Sequence, residues 1–193
     1  MDVVELRPGL WRWTARHPAW EPEHEPGSPG DWPPDVGCVA YAARDAFVLV
    51  DPLVEDWAAL DDLVERQAKP VHVLVTILFH ERSRAEAVDR YGAVETIPPG
   101  VEPIAFERAG ETMFWLPEHG ALVPGDRLLA FGAGGLRVCP DSWLAYLRNG
   151  LTGEELRADL RRLLELPVEL VLVSHGAPVL AGGRAAIARA LEA

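Results

Sequence analysis

The largely apolar run Val71–Phe79, interrupted by His72 and Thr76, most restricts how this chain folds. It falls far short of the roughly 20 residues a membrane-spanning helix needs, so it reads as a buried strand. Its neighbours supply layers to bury it. Val36–Tyr41 and Ala46–Val50 are apolar runs separated by a short polar stretch, which predicts a hairpin whose second strand ends at Asp51-Pro52. Trp57, Leu60, Leu63 and Val64 fall close to helical spacing, and Lys69-Pro70 ends that helix before the apolar run. The order is strand, helix, strand.

Further along, Ser83 with Glu86 forms a capping-box pattern that predicts a helix over Arg84–Tyr91, stopped by Gly92. Glu111–Leu116, Ala121–Val123 and Arg127–Phe131 read as antiparallel strands. Thr152 with Glu155 opens a second capped helix to about Leu166, whose Leu156, Leu160, Leu163 and Leu164 share a face. Glu169–Val173 then reads as a buried strand and Arg184–Leu191 as a last helix. At the N-terminus, Pro8–Thr14 is a turn followed by a strand. His17–Pro34 carries six prolines with Gly27 and Gly30, which predicts a long irregular loop. The expected fold is α/β in a single domain over residues 1–193, with two sheets packed together and helices outside.

Composition narrows the partners. Hydrophobic residues make up 49% and charged residues 25%, an ordinary globular balance. The net charge of −12 disfavours nucleic acid and anionic membrane surfaces. Acidic residues at the N-terminus argue against an export signal, and two cysteines exclude a disulfide scaffold, so a cytoplasmic protein is expected.

Three landmarks, taken together, resemble the metallo-β-lactamase superfamily. They are the strand ending Leu49-Val50-Asp51-Pro52, the stretch Val73–Ser83 with its helix and Tyr91-Gly92-Ala93, and the pair Leu122–Asp126 and Val171–Gly176. The resemblance implies an αββα sandwich, two mixed sheets with helices outside. It also implies metal ligands, most of which are missing here. Aligned on Thr76, the positions of the family's Thr-His-x-His-x-Asp-His loop hold Ile77, Phe79, Glu81 and Arg82. His119 sits poorly for a further ligand, leaving Asp126, which would bridge two metals, and His175, which would bind the second. Two ligands fall short of a catalytic zinc site, so no zinc or other divalent metal is expected. Arg82 would place a fixed cation in the metal's place and pair with Asp126 or Glu81, while Ile77 and Phe79 fill the pocket.

Individual residues leave alternatives open. His80 is either a replacement ligand or base beside Glu81, or an exposed loop histidine. His175 is a ligand or base, or a strand-end histidine held by hydrogen bonds. Asp51 and Asp126 are site carboxylates or turn residues. Trp11, Trp13, Trp20 and Trp32, with His17 and His24, either cover a pocket mouth or pin the loop to the sheet. Gly132–Gly135 is a weak phosphate-loop signal because no helix start follows. Cys38 and Cys139 read as buried thiols. The resulting expectation is a non-hydrolytic, small-molecule-binding protein with a vestigial pocket of Asp51, His80, Glu81, Arg82, Asp126 and His175. Arg82 suggests an anionic ligand. The alternative is a hydrolase with a single metal or none.

Overall fold

A computed structural model of the chain describes residues 1–131 and 135–193. The phosphate-loop expectation at 132–135 therefore falls largely outside the described residues. The first sheet is a meander of β1 (Val4–Arg7), β2 (Leu10–Arg16), β3 (Asp35–Ala42) and β4 (Phe47–Val50). The chain then passes through α1 (Trp57–Gln67) and returns as β5 (Val71–Leu74), parallel to β4. A 3-10 turn, Leu78–His80, leads into α2 (Arg84–Tyr91).

The second sheet contains β6 (Glu102–Phe106), β7 (Glu111–Leu116) and β8 (Ala121–Val123), with β11 (Leu170–Val171) added parallel to β8. Between them lie the short ribbon of β9 (Leu128–Leu129) and β10 (Arg137–Val138), the 3-10 segment Asp141–Leu147, and α3 (Gly153–Leu160). The last helix is α4 (Gly183–Glu192). Among the described residues, no helix is long and apolar enough to cross a membrane.

Strand alternation explains the layering. In β4, Val48 and Val50 face the second sheet with Leu74, Phe114, Leu116 and Val123, while Phe47 and Leu49 face Leu60, Leu63 and Ala87 of α1 and α2. In the second sheet Met113, Trp115 and Leu122 turn outward onto Leu156, Leu160, Ile187 and Leu191 of α3 and α4. Two mixed sheets with helices on both outer faces are the expected αββα sandwich, because each strand presents successive side chains to opposite layers.

Several elements differ from expectation. Thr152 and Glu155 do form a reciprocal capping box, but α3 stops at Leu160 and continues as a 3-10 turn over Arg161–Glu165. Ser83 caps nothing; its hydroxyl accepts from Val54 N at 3.1 Å, tying α2 to the segment after β4. The strand expected at Arg127–Phe131 shortens to two residues, as does that at Glu169–Val173. Three strands were not foreseen: β1, β6 and the two-residue β10. β6 contains Pro103, which is tolerated because β6 is an edge strand. β1 is a short exposed strand pairing with β2. Residues 17–34 contain no helix or strand, and Cys38 and Cys139 are buried free thiols.

Candidate functional site

At the end of β4 the chain turns sharply, with Asp51 in the left-handed region at φ 51°, a conformation aspartate tolerates better than most residues. The buried Asp51 carboxylate accepts from Thr76 N at 2.8 Å and from Thr76 Oγ1 at 2.6 Å, joining the ends of β4 and β5. Its Oδ2 also lies 2.8 Å from His80 Nδ1. His80 reaches it through the 3-10 turn, in which residues three apart stack on one side. The side chain therefore turns inward beneath Ile77 instead of out to solvent, and His80 is only 3% exposed. That corrects the exposed-histidine alternative.

With Nδ1–H donated to Asp51, the other face of His80 is fixed. Its Nε2 lies 3.0 Å from Asp126 Oδ1, and His175 Nε2 lies 3.2 Å from the same oxygen. Neither contact has hydrogen-bond geometry, so Asp126 Oδ1 is a buried oxygen with no hydrogen-bond partner, as is His175 Nδ1 among buried nitrogens. The three donor atoms all lie within 4.8 Å of one another.

Each of the other two donors is held by backbone. Asp126 follows β8, where the Glu111 carboxylate accepts from Gly125 N at 3.0 Å, Asp126 N at 2.7 Å and Arg127 N at 3.0 Å. A side chain at Gly125 would meet Thr76 Oγ1 at 2.6 Å, so only glycine permits this approach. The His175 carbonyl accepts from Ala130 N at 2.9 Å, and a Cβ on the next residue, Gly176 at φ 101°, would fall 2.2 Å from Ala130 O. The rings of Trp32 and Trp143 stand edge-on to the His175 imidazole at 5.2 and 5.6 Å.

Not every expected site residue joins this group. Glu81 is exposed and turned toward Arg84 at 3.6 Å. Arg82 lines the site but does not pair with Asp126 or Glu81. It donates to Gly37 O, Asp51 O and Ser174 Oγ, the last at 2.6 Å. Phe79 does not fill the metal position; it is 54% exposed and rests on Tyr146. Glu111 was missed and no motif marked it; Thr76 was used only to align the loop motif, and His17, named with the loop tryptophans as covering a pocket mouth or pinning the loop, lines the cavity.

The charges couple tightly. Burial and Arg82 oppose protonation of His80, but Asp126 and Asp51 prevail and push it up to about 9. Burial works against Asp126, yet His80 and His175 hold its carboxyl well below the usual range. Burial lowers His175, and burial with the nearby Arg82, His80 and His175 takes His17 down to about 4. Burial pushes Glu111 up to about 7 against Arg127 and the backbone N–H groups.

Linkage turns the His80 shift into a pH dependence. A raised folded-state value means the stabilisation is complete below about pH 6.5 and is lost as pH rises through about 9. Metal-free protein is expected to lose up to about 3 kcal/mol across that window, in addition to the loss that Glu111 causes as pH rises from about 4.5 through about 7. Urea unfolding of His80→Gln against pH should lack this segment; a variant that retains it would assign the slope elsewhere.

The cluster floors a cavity of about 420 Å³. Its walls include Trp32, Phe79, Trp143 and Tyr146, with His17 and Arg82 beside the floor. Trp32 thus lines the cavity, whereas Trp11 and Trp13 are buried in the layer beneath α1 and α2.

The sandwich, with strand ends from both sheets converging on a His-Asp-His floor, is the metallo-β-lactamase fold. Solved structures that share it include the DIM-1 metallo-β-lactamase, with a TM-score of 0.62, 10% identity, and coverage of 99% of this chain and 96% of that one. An archaeal metallo-β-lactamase superfamily protein, ST1585 from Sulfolobus tokodaii, aligns at TM-score 0.58 and 15% identity over 95% and 85% of the chains. A metallo-β-lactamase from Erythrobacter litoralis aligns at 0.57 and 18% identity over 98% and 94%. No protein-family model and no curated protein matches this sequence.

Proposed function

We propose that this protein is a hydrolase built around one divalent metal ion held by His80, Asp126 and His175. The observation that carries this reading is the convergence of three buried donor atoms on a cavity floor, with Asp126 Oδ1 left without a hydrogen bond. Three protein donors and one position open to a cavity is the arrangement of catalytic zinc sites, whereas structural sites are closed by four. The donor set suits zinc chemically. His80 also has the carboxylate partner, Asp51, that orients a metal-ligating histidine. Among the described residues a second metal lacks ligands, because Ile77, Phe79 and Arg82 stand at three of the other loop positions and Glu81, at the fourth, is exposed and turned toward Arg84.

When bound, the ion supplies Lewis-acid polarisation of a carbonyl oxygen. The chain's own residues do the rest. Asp51 fixes the imidazole of His80 so that Nε2 faces the floor. His17 is neutral, and its Nδ1 accepts from Ala19 N, so its proton sits on Nε2 and is left to donate to a substrate. Trp32 and Trp143 flank His175 and keep water from its ring.

A second reading is favoured by the His80 shift. At neutral pH the imidazolium already bridges Asp51 and Asp126, so the site is charge-balanced without metal. On that reading the protein binds a small molecule and does not hydrolyse it.

Metal content decides between them. Protein purified without a histidine tag or chelators is expected to retain about one zinc per chain after dialysis, following exposure to zinc, manganese and iron. Uptake should rise between pH 6 and 9 as the ion displaces the His80 proton. Absence of metal under all three conditions would remove the hydrolase reading and leave the binding protein.

A further inference from the structure

We propose that the cavity receives an uncharged, flat aromatic molecule carrying one carbonyl group. Placing the carbonyl at the floor rests on the hydrolase reading; the aromatic body follows from the walls alone. Four rings from three separate segments face the cavity. Trp32 comes from residues 17–34, Phe79 from the turn after β5, and Trp143 and Tyr146 from Asp141–Leu147.

Two of these rings are fixed by their polar ends. Trp143 Nε1 donates to Ser28 O at 3.0 Å, and Tyr146 Oη accepts from Arg127 Nη2 at 2.6 Å. The protein thus uses the polar handles and leaves ring faces and edges to the cavity, where offset and edge-on contacts favour another aromatic ring. At the mouth, Phe79 and Tyr146 meet edge-on at 4.9 Å while 54% and 41% exposed, large rings held in solvent against each other and not in the core.

The walls offer no free charge. Both guanidinium ends of Arg82 are taken by Gly37 O, Asp51 O and Ser174 Oγ. The Ser142 hydroxyl donates to Gly27 O, and His17 is neutral. Among the described residues a phosphate or carboxylate finds no unoccupied cation fork, and a ligand's neutral polar group is met at the floor and by the His17 Nε2–H beside it. The cavity of about 420 Å³ suits a small molecule and not a polymer.

The test uses methyl 2-naphthoate, its anion 2-naphthoate, and methyl octanoate as probes. Binding to the whole chain is followed by tryptophan quenching and calorimetry, with the protein metal-free and zinc-treated. The ester of naphthoate is expected to bind both forms at one per chain, at least about tenfold more tightly than the other two probes. Phe79→Ser, at an exposed position, is expected to weaken it about tenfold with the melting temperature unchanged. Equal binding of methyl octanoate, preference for the anion, or indifference to Phe79→Ser each overturns the proposal. Binding of the ester without zinc uptake would refute the metal reading and sustain this one. Zinc uptake without ester binding would do the reverse.

Discussion

Replacing His80 by alanine is expected to abolish zinc retention and to destabilise the metal-free protein by about 3–5 kcal/mol at pH 7. The imidazole is the contact that Asp51 Oδ2 and Asp126 Oδ1 share, at 2.8 and 3.0 Å, in a site where all three side chains are buried. Its removal leaves two carboxylates facing a void, and an uncompensated buried charge costs more than the methylene groups lost with it. The charge component has its own signature. Wild-type His80 gives up its proton as pH rises through about 9, so the gap between variant and wild type should narrow there. Urea titrations at pH 7 and pH 10 measure both. A gap that is constant with pH would mean that His80 acts only as packing.

Glu111→Ala is expected to cost about 3–5 kcal/mol and to weaken zinc binding with His80 and His175 intact. One carboxylate satisfies three consecutive backbone N–H groups, those of Gly125, Asp126 and Arg127. Each buried N–H left unpaired costs about 1–3 kcal/mol, and the loop that aims Asp126 loses its anchor. The fully buried Arg127 also loses the negative charge that most favours its guanidinium. Glu111→Gln should recover part of the loss, because an amide oxygen still accepts. Denaturation midpoints for the two variants, with zinc content on each, test this; an unchanged midpoint for Glu111→Ala would show that water or another acceptor replaces the carboxylate.

How much of this was legible before folding depends on whether the signal was local. The helix at Trp57–Gln67 and the strands at its two ends are written in apolar spacing, and they appear where that spacing puts them. Asp126 and His175 were visible because their strand ends, Gly125-Asp126 and Ser174-His175-Gly176, resemble motifs of the metallo-β-lactamase superfamily. His80 was named too, but as either a site residue or an exposed loop histidine, because linear spacing does not say which way it turns; the 3-10 geometry of Leu78–His80 buries it. Glu111 lacks any sequence signal, since its three partners lie 14 to 16 residues away across a chain reversal. The ambiguity over the tryptophans resolves by position: strand alternation carries Trp11 and Trp13 into the core, while Trp32, outside any strand, is free to line the cavity.

Arg82 adopts φ 39°, an uncommon backbone state for a side chain of its size, and from there spans carbonyls of Gly37 and Asp51 and the hydroxyl of Ser174. Those three atoms belong to strand ends of both sheets, so the guanidinium acts as a rivet across the mouth of the sandwich. A rivet of this kind cannot be stripped by a chelator. The architecture around the floor is thereby insulated from metal supply: on the proposed metal reading, the frame that presents His80, Asp126 and His175 stays assembled with the ion or without it.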